Sequence, residues 1–134
     1  RYSSVDVVFI SHTAESKEVN EQQFFTQSPN GGTLVSTGLK KAEEIIEKRY
    51  HPNNWNIYTF YCGDGDNWSI DNQEAIDSFR RLKEVNHGSF FQNFDAINLL
   101  WDLVKPLEDN TFKKVRLGTH SDIWKSFKKL FGGK

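Results

Sequence analysis

Hydrophobic residues recur along this chain in two alternating rhythms. Val5-Asp6-Val7-Val8-Phe9-Ile10 is a short, β-branched, nearly continuous apolar run. Such runs predict strands buried on both faces, as in a parallel sheet under helices. Ala14 to Asn30 is polar and runs into Ser28-Pro29-Asn30-Gly31-Gly32, a loop signal. Phe24-Phe25 within it reads as a packing anchor. From Thr33 the period lengthens: Val35, Leu39, Ala42, Ile46 and Tyr50 recur at helical spacing, widened by Leu34 and Ile45. Glu44 and Lys48 form a favourable i,i+4 pair on the other face. His51-Pro52 ends that helix, because a residue before proline avoids the α region. Trp55 to Cys62 predicts a second strand, closed by Gly63 and Gly65.

Asp71 then reads as the cap of a helix carrying Ala75, Ile76, Phe79, Leu82 and Val85, with Glu74 completing a capping-box-like pair. Asn86-His87-Gly88 predicts a turn and Ser89 to Phe94 a strand. Leu99, Leu100, Leu103, Val104 and Leu107 predict a short helix broken near Pro106. Phe112 to Leu117 predicts the last strand. A final helix, capped by Ser121 or Asp122, carries Ile123, Phe127 and Leu130 and stops at Gly132-Gly133. Strands and helices alternate, so the expected class is α/β, a mostly parallel sheet covered by helices.

Composition narrows the function classes. A chain of 134 residues fits one domain, since a single core serves roughly 100–150 residues. It holds 17 basic and 18 acidic residues, for a net charge of −1. That balance offers no broad basic field, so nucleic-acid binding is not expected. No apolar run approaches the roughly 18 residues that span a membrane, and no secretory signal pattern opens the chain. The expected compartment is the cytoplasm. Cys62 is the only cysteine, which excludes an internal disulfide and a Cys-based structural zinc site. The chain opens on Arg1 and contains no methionine, which reads as a piece of a longer protein, 1–134 being one domain of it.

Ligands of open parallel α/β sheets bind beyond the carboxyl ends of the strands. Those ends carry Ser11-His12-Thr13, Cys62-Gly63-Asp64-Gly65-Asp66-Asn67 and Gly118 to Asp122, and the loop Gly31-Gly32-Thr33 opens a helix on the same edge. Asp64 and Asp66 are the leading candidates. Two carboxylates on a glycine-rich turn suit a hard cation such as Mg²⁺ or Mn²⁺, which takes oxygen ligands and keeps several waters. Thr33 can add a hydroxyl oxygen, and Gly32 and Asn67 flank these positions. The competing account is a plain polar turn, since Asp, Asn and Gly are common turn residues, with Thr33 as a helix cap. Ser11 and His12 stand at a strand end. His12 suits a ligand or general base, or a hydrogen-bonded structural histidine.

Several blocks carry a family resemblance: Val7-Val8-Phe9-Ile10-Ser11-His12-Thr13, Lys17-Glu18-Val19, Phe24-Phe25, Gly31-Gly32-Thr33, Trp55-Asn56-Ile57-Tyr58 and Asp64-Gly65-Asp66-Asn67-Trp68. With Asp122-Ile123-Trp124 and Leu130-Phe131 they resemble the bacterial UPF0229 (DUF444) family. The resemblance implies a fold like that of von Willebrand factor A (vWA) domains. It also implies a metal-ion-dependent adhesion site in which Thr33 takes the threonine role and Asp64 the late aspartate role. Asp66 belongs to the same block without an assigned role. The Asp-x-Ser-x-Ser of such sites is absent from this chain, so the resemblance places the first, central strand before Arg1. Gly63 stands where family members tend to carry serine.

Three functions follow as expectations. One is a metal-assisted protein-interaction module in sporulation or stress, with a PrkA-type serine protein kinase as the implied partner. Another is a metal-dependent phosphotransferase or hydrolase using Asp64 and Asp66. The last is a ligand-free structural domain. The residues do not specify an oligomeric state.

Overall fold

The computed structural model describes residues 5–12, 15–26, 34–63, 67–85, 88–94, 102–109, 112–117 and 125, and all structural statements concern these residues. The first apolar run does not become a doubly buried parallel strand. It ends in β1 (Phe9–His12), which pairs antiparallel with β2 (Ser16–Val19), Phe9 opposite Val19 and His12 opposite Ser16. Val5 and Val7, ahead of the strand, are 74% and 68% exposed. The partner strand is Ser-Lys-Glu-Val, of which only Val19 is buried. The hairpin therefore rests on its ladder more than on side-chain burial.

A short helix, α1 (Glu21–Thr26), follows where the polar composition predicted none. Asn20 and Gln23 explain it. The Gln23 amide donates to Asn20 Oδ1 at 2.8 Å, and the Asn20 amide donates to Gln23 Oε1 at 3.1 Å. This reciprocal capping satisfies two amides that a helix start leaves without partners. Phe24 and Phe25 then pack on Phe9, with ring centroids 5.1 and 5.9 Å away.

The remainder follows the sequence rhythm closely. α2 (Val35–Arg49) buries Val35, Leu39, Ala42 and Ile45 along the expected stripe. It ends at Tyr50, whose amide donates to the Ile46 carbonyl at 3.0 Å. The Asn54 and Trp55 amides both donate to the His51 carbonyl, at 2.9 and 3.2 Å. That turn delays the next strand, β3 (Tyr58–Gly63), three residues past its expected start. A short 3-10 turn (Ser69–Asp71) leads into α3 (Asn72–Val85), which buries Ala75, Ile76, Phe79 and Leu82. β4 (Gly88–Phe94) and β5 (Phe112–Leu117) complete a parallel sheet ordered β3-β4-β5. β3, α3 and β4 thus form a β-α-β unit, the connection that parallel strands require.

The core lies where α2 and α3 meet this sheet. It holds Val35, Leu39, Tyr61, Phe79, Leu82, Val104 and Phe112. Rings cross it in sequence: Tyr61 meets Phe79 edge-on at 5.7 Å, and Phe79 meets Phe112 edge-on at 5.6 Å. Each such pair contributes about 0.5–1.5 kcal/mol beyond its burial. On the solvent side, Lys40 pairs with Glu74, and Arg81 with Glu43 at 2.6 Å, bracing α2 against α3. The architecture is therefore mixed α/β, with the hairpin and the three-stranded parallel sheet as separate sheets. Of the helix predicted over Asp122 to Leu130 only Lys125 is described, and it is helical and exposed; the turn at His87 lies outside the described residues. No described helix is long and apolar enough to cross a membrane.

Candidate functional site

Every α-helix begins with amides that have no partner in its own first turn. At α2 the residue ahead of the helix is Leu34, in an extended conformation and unable to cap. The caps come from more than thirty residues away. The Val35 amide donates to Asn67 Oδ1 at 3.0 Å, and the Ser36 amide donates to Asp71 Oδ2 at 3.0 Å. Ser36 Oγ donates to the other carboxylate oxygen, Asp71 Oδ1. Asn67 Nδ2 donates to Asp71 Oδ2 at 3.1 Å and to Asn72 Oδ1 at 3.0 Å. Ser36, Asp71 and Asn72 are buried, at 3%, 7% and 6% exposure.

This network suits its surroundings. A carboxylate at the positive end of a helix gains about 0.3–1 kcal/mol from the helix dipole. A buried carboxylate also needs donors around it, and Asp71 has three. It is therefore not the cap of its own helix that its spacing to Glu74 suggests. Its carboxylate faces Ser36, while Glu74 pairs with Lys40. The reason is topological: α3 starts beside the start of α2, and among the described residues the Val35 and Ser36 amides find their acceptors there, while the Thr37 amide donates to the Leu34 carbonyl.

Of the site candidates read from the sequence, Asn67 is in this network, together with Asp71, which the sequence marked as a helix cap. Thr33, Gly32, Asp64 and Asp66 lie outside the described residues. Their chain neighbours are within it: Asp66 directly precedes Asn67, and Thr33 lies two residues before Val35. Ser11 and His12 are at the end of β1, where Ser11 sits opposite Lys17. His12 packs against two elements of the body. Its ring lies on Tyr61, centroids 5.3 Å apart, and against Gly38 of α2, where an added Cβ would come within 2.9 Å of His12 Cγ. Among the described residues, no group of three or more His, Cys, Asp or Glu gathers as a metal site.

Ser36, and the role of Asp71 at α2, are what sequence reasoning missed. One local signal existed: a helix stripe starting at Val35 behind Leu34, a residue that cannot cap. It implies a distant acceptor without naming it.

With this geometry in view, the similarities to known proteins become specific. The model of a family described as a protein of unknown function, DUF444, matches residues 1–134. The chain belongs to that family. A UPF0229 protein of Ruminiclostridium cellulolyticum is 41% identical over 136 residues, covering 97% of this chain and 34% of that protein. One from Clostridium perfringens is 33% identical over 132 residues, covering 96% and 34%. One from Pectobacterium atrosepticum is 37% identical over 135 residues, covering 97% and 32%. The DUF444 chain thus spans about a third of the length of these relatives.

Proposed function

We propose that this DUF444 chain carries part of a divalent-metal-assisted protein-interaction site on a vWA-like fold. Thr33 and Asp64 would act as oxygen ligands and Asp66 as their acidic neighbour. The observation that carries the reading is the bond between Asn67 and the Val35 amide. It ties the residue after Asp66 to the helix that opens two residues after Thr33. Mg²⁺ or Mn²⁺ suits hydroxyl and carboxylate oxygens, and keeps coordination positions filled by water. A partner carboxylate can replace such a water, which makes the ion a bridge between proteins. The resemblance extends the proposal to a PrkA-type serine protein kinase as partner, and to a cytoplasmic role in sporulation or stress.

A ligand-free reading has one observation in its favour: Asp71 spends both carboxylate oxygens on internal donors. The two readings separate in a calorimetric titration of the chain with Mn²⁺. The metal reading expects saturable binding that Asp64→Ala abolishes. Binding unchanged by Asp64→Ala removes the assignment, and absence of binding to the unaltered chain favours the ligand-free domain.

A further inference from the structure

We propose that the hairpin face turned away from α2, together with α1, is a surface on which a second copy of this chain docks across a two-fold axis. The proposal is independent of the metal reading above and uses other residues. Opposed residues of an antiparallel pair share a face, and successive residues alternate faces. Ile10, His12, Ser16 and Glu18 turn toward the body. Ile10 packs on its core and His12 on Gly38, Ser16 Oγ donates to the Thr37 carbonyl, and Glu18 pairs with Arg49. Phe9, opposite Val19, and Ser11, opposite Lys17, therefore turn the other way. On that side the Phe24 and Phe25 rings of α1 meet Phe9 and each other, and α1 buries none of its residues. Phe24 and Phe25 stay exposed, as do Val5 and Val7 ahead of β1. Apolar side chains exposed singly need no explanation, but a contiguous group marks an interaction surface.

The charges around the rings select the occupant. Residues three and four apart share a helix face, so Glu21 flanks both Phe24 and Phe25. Lys17 stands on the strand face that carries Phe9. Both are exposed, and among the described residues neither enters an ion pair. Their neighbours are engaged: Glu18 with Arg49, and Asp6 as acceptor from the Tyr50 hydroxyl at 3.3 Å. Glu15, exposed just ahead of β2, adds a further carboxylate. An anionic lipid surface attracts basic segments, and this rim is not one. A uniformly acidic or uniformly basic partner would meet a like charge on one side of the rings. A two-fold axis instead sets each residue i against j and j against i. Lys17 of each copy then faces Glu21 of the other while the rings close together. A patch of a few apolar side chains falls well short of the roughly 20–30 residues a side of a standard interface, so the dimer is weak and reversible.

The test is sedimentation equilibrium of the chain across a wide range of protein concentration, where a reversible monomer–dimer equilibrium is expected. Phe25→Ser trims an exposed ring and is expected to weaken the dimer about tenfold, as loss of an aromatic anchor does. Lys17→Glu and Glu21→Lys each set like charges against one another across the axis, and each is expected to weaken the dimer several-fold. Mixed in equal amounts, these two variants are expected to form a heterodimer as strong as the unaltered dimer, because every rim charge again meets its opposite. The chain carrying both changes is expected to dimerise again for the same reason. Recovery on mixing cannot come from a damaged fold, so it decides the matter even if Phe25→Ser does not fold. A chain that stays monomeric throughout overturns the proposal. A dimer left intact by Phe25→Ser and by both charge changes overturns it too, since the contact is then on another face. So does failure of the mixed variants to recover. A monomer that sediments with phosphatidylcholine vesicles, and is released by Phe25→Ser, overturns it in favour of a lipid surface.

Discussion

The β3–β5 body and the N-terminal hairpin solve the same problem with different means. In the body, side chains at the helix and strand periods interlock, and Val35, Val104 and Phe112 have no exposed surface. In the hairpin, every β1 residue is only partly buried, and Phe25 is 70% exposed. The hairpin depends on a few directed contacts instead. His12 packs on Tyr61 and Gly38, the Ser16 hydroxyl donates to the Thr37 carbonyl at 2.7 Å, and Arg49 pairs with Glu18 at 2.7 Å. The body is stabilised by apolar burial, and the hairpin is stapled to it. Most of the hairpin's attachment passes through α2, the same helix whose start is capped by Asn67 and Asp71.

This contrast can be broken in a ranked series of thermal or urea unfolding measurements. Phe112→Ala removes a fully buried ring from the meeting point of sheet and helices, and should cost about 3–5 kcal/mol. Gly38→Ala should cost about 1–3 kcal/mol, because the new methyl meets the rigid base of the His12 ring, as overpacking does. A helix-interior glycine replaced by alanine otherwise gains about 1 kcal/mol, so stabilisation by Gly38→Ala would show that β1 is free to move off α2. Ser36→Ala leaves Asp71 with one donor fewer, and should cost about 1–3 kcal/mol. Arg49→Ala removes an exposed ion pair that fastens the hairpin, and should cost under about 1 kcal/mol.

The smallest effect is electrostatic. Hydrogen bonding to Lys48, with the charges of Lys41 and Lys48, holds the Glu44 carboxyl below its ordinary range. A carboxyl lowered on folding adds stability above its unfolded pKa, and that stability fades as pH falls through the folded value. Glu44 is an exposed residue whose side chain is 46% accessible, so the effect should be slight and confined to acidic pH. Glu44→Gln should flatten that part of the stability profile and leave neutral pH nearly unchanged.

The same comparison explains what the sequence could tell. The body was legible because burial follows periodicity: the stripe of α2, the face of α3 with Phe79 and Leu82, and the span of β5 all appear as read. The hairpin was not legible, because Ser16-Lys17-Glu18-Val19 has no strand rhythm and is specified by its pairing with β1. The boundary of β3 moved because backbone bonds from Asn54 and Trp55 to His51 outweighed the strand propensity of Trp55. For the candidate site, the sequence marked Asn67 and the acidic turn before it. It could not reveal the acceptor for the α2 amides, since Asp71 and Ser36 are joined only through the fold.

The proposed site, with Thr33 and Asp64 as cation ligands, is open to a direct measurement. Paramagnetic broadening of amide signals by Mn²⁺ tests this most directly. The account predicts that the Val35 and Ser36 amides and the Asn67 side-chain amide broaden together at the lowest Mn²⁺ additions, with Phe112 to Leu117 spared. Broadening confined to one of the two segments, or spread evenly over exposed carboxylates such as Glu44 and Asp77, would contradict it.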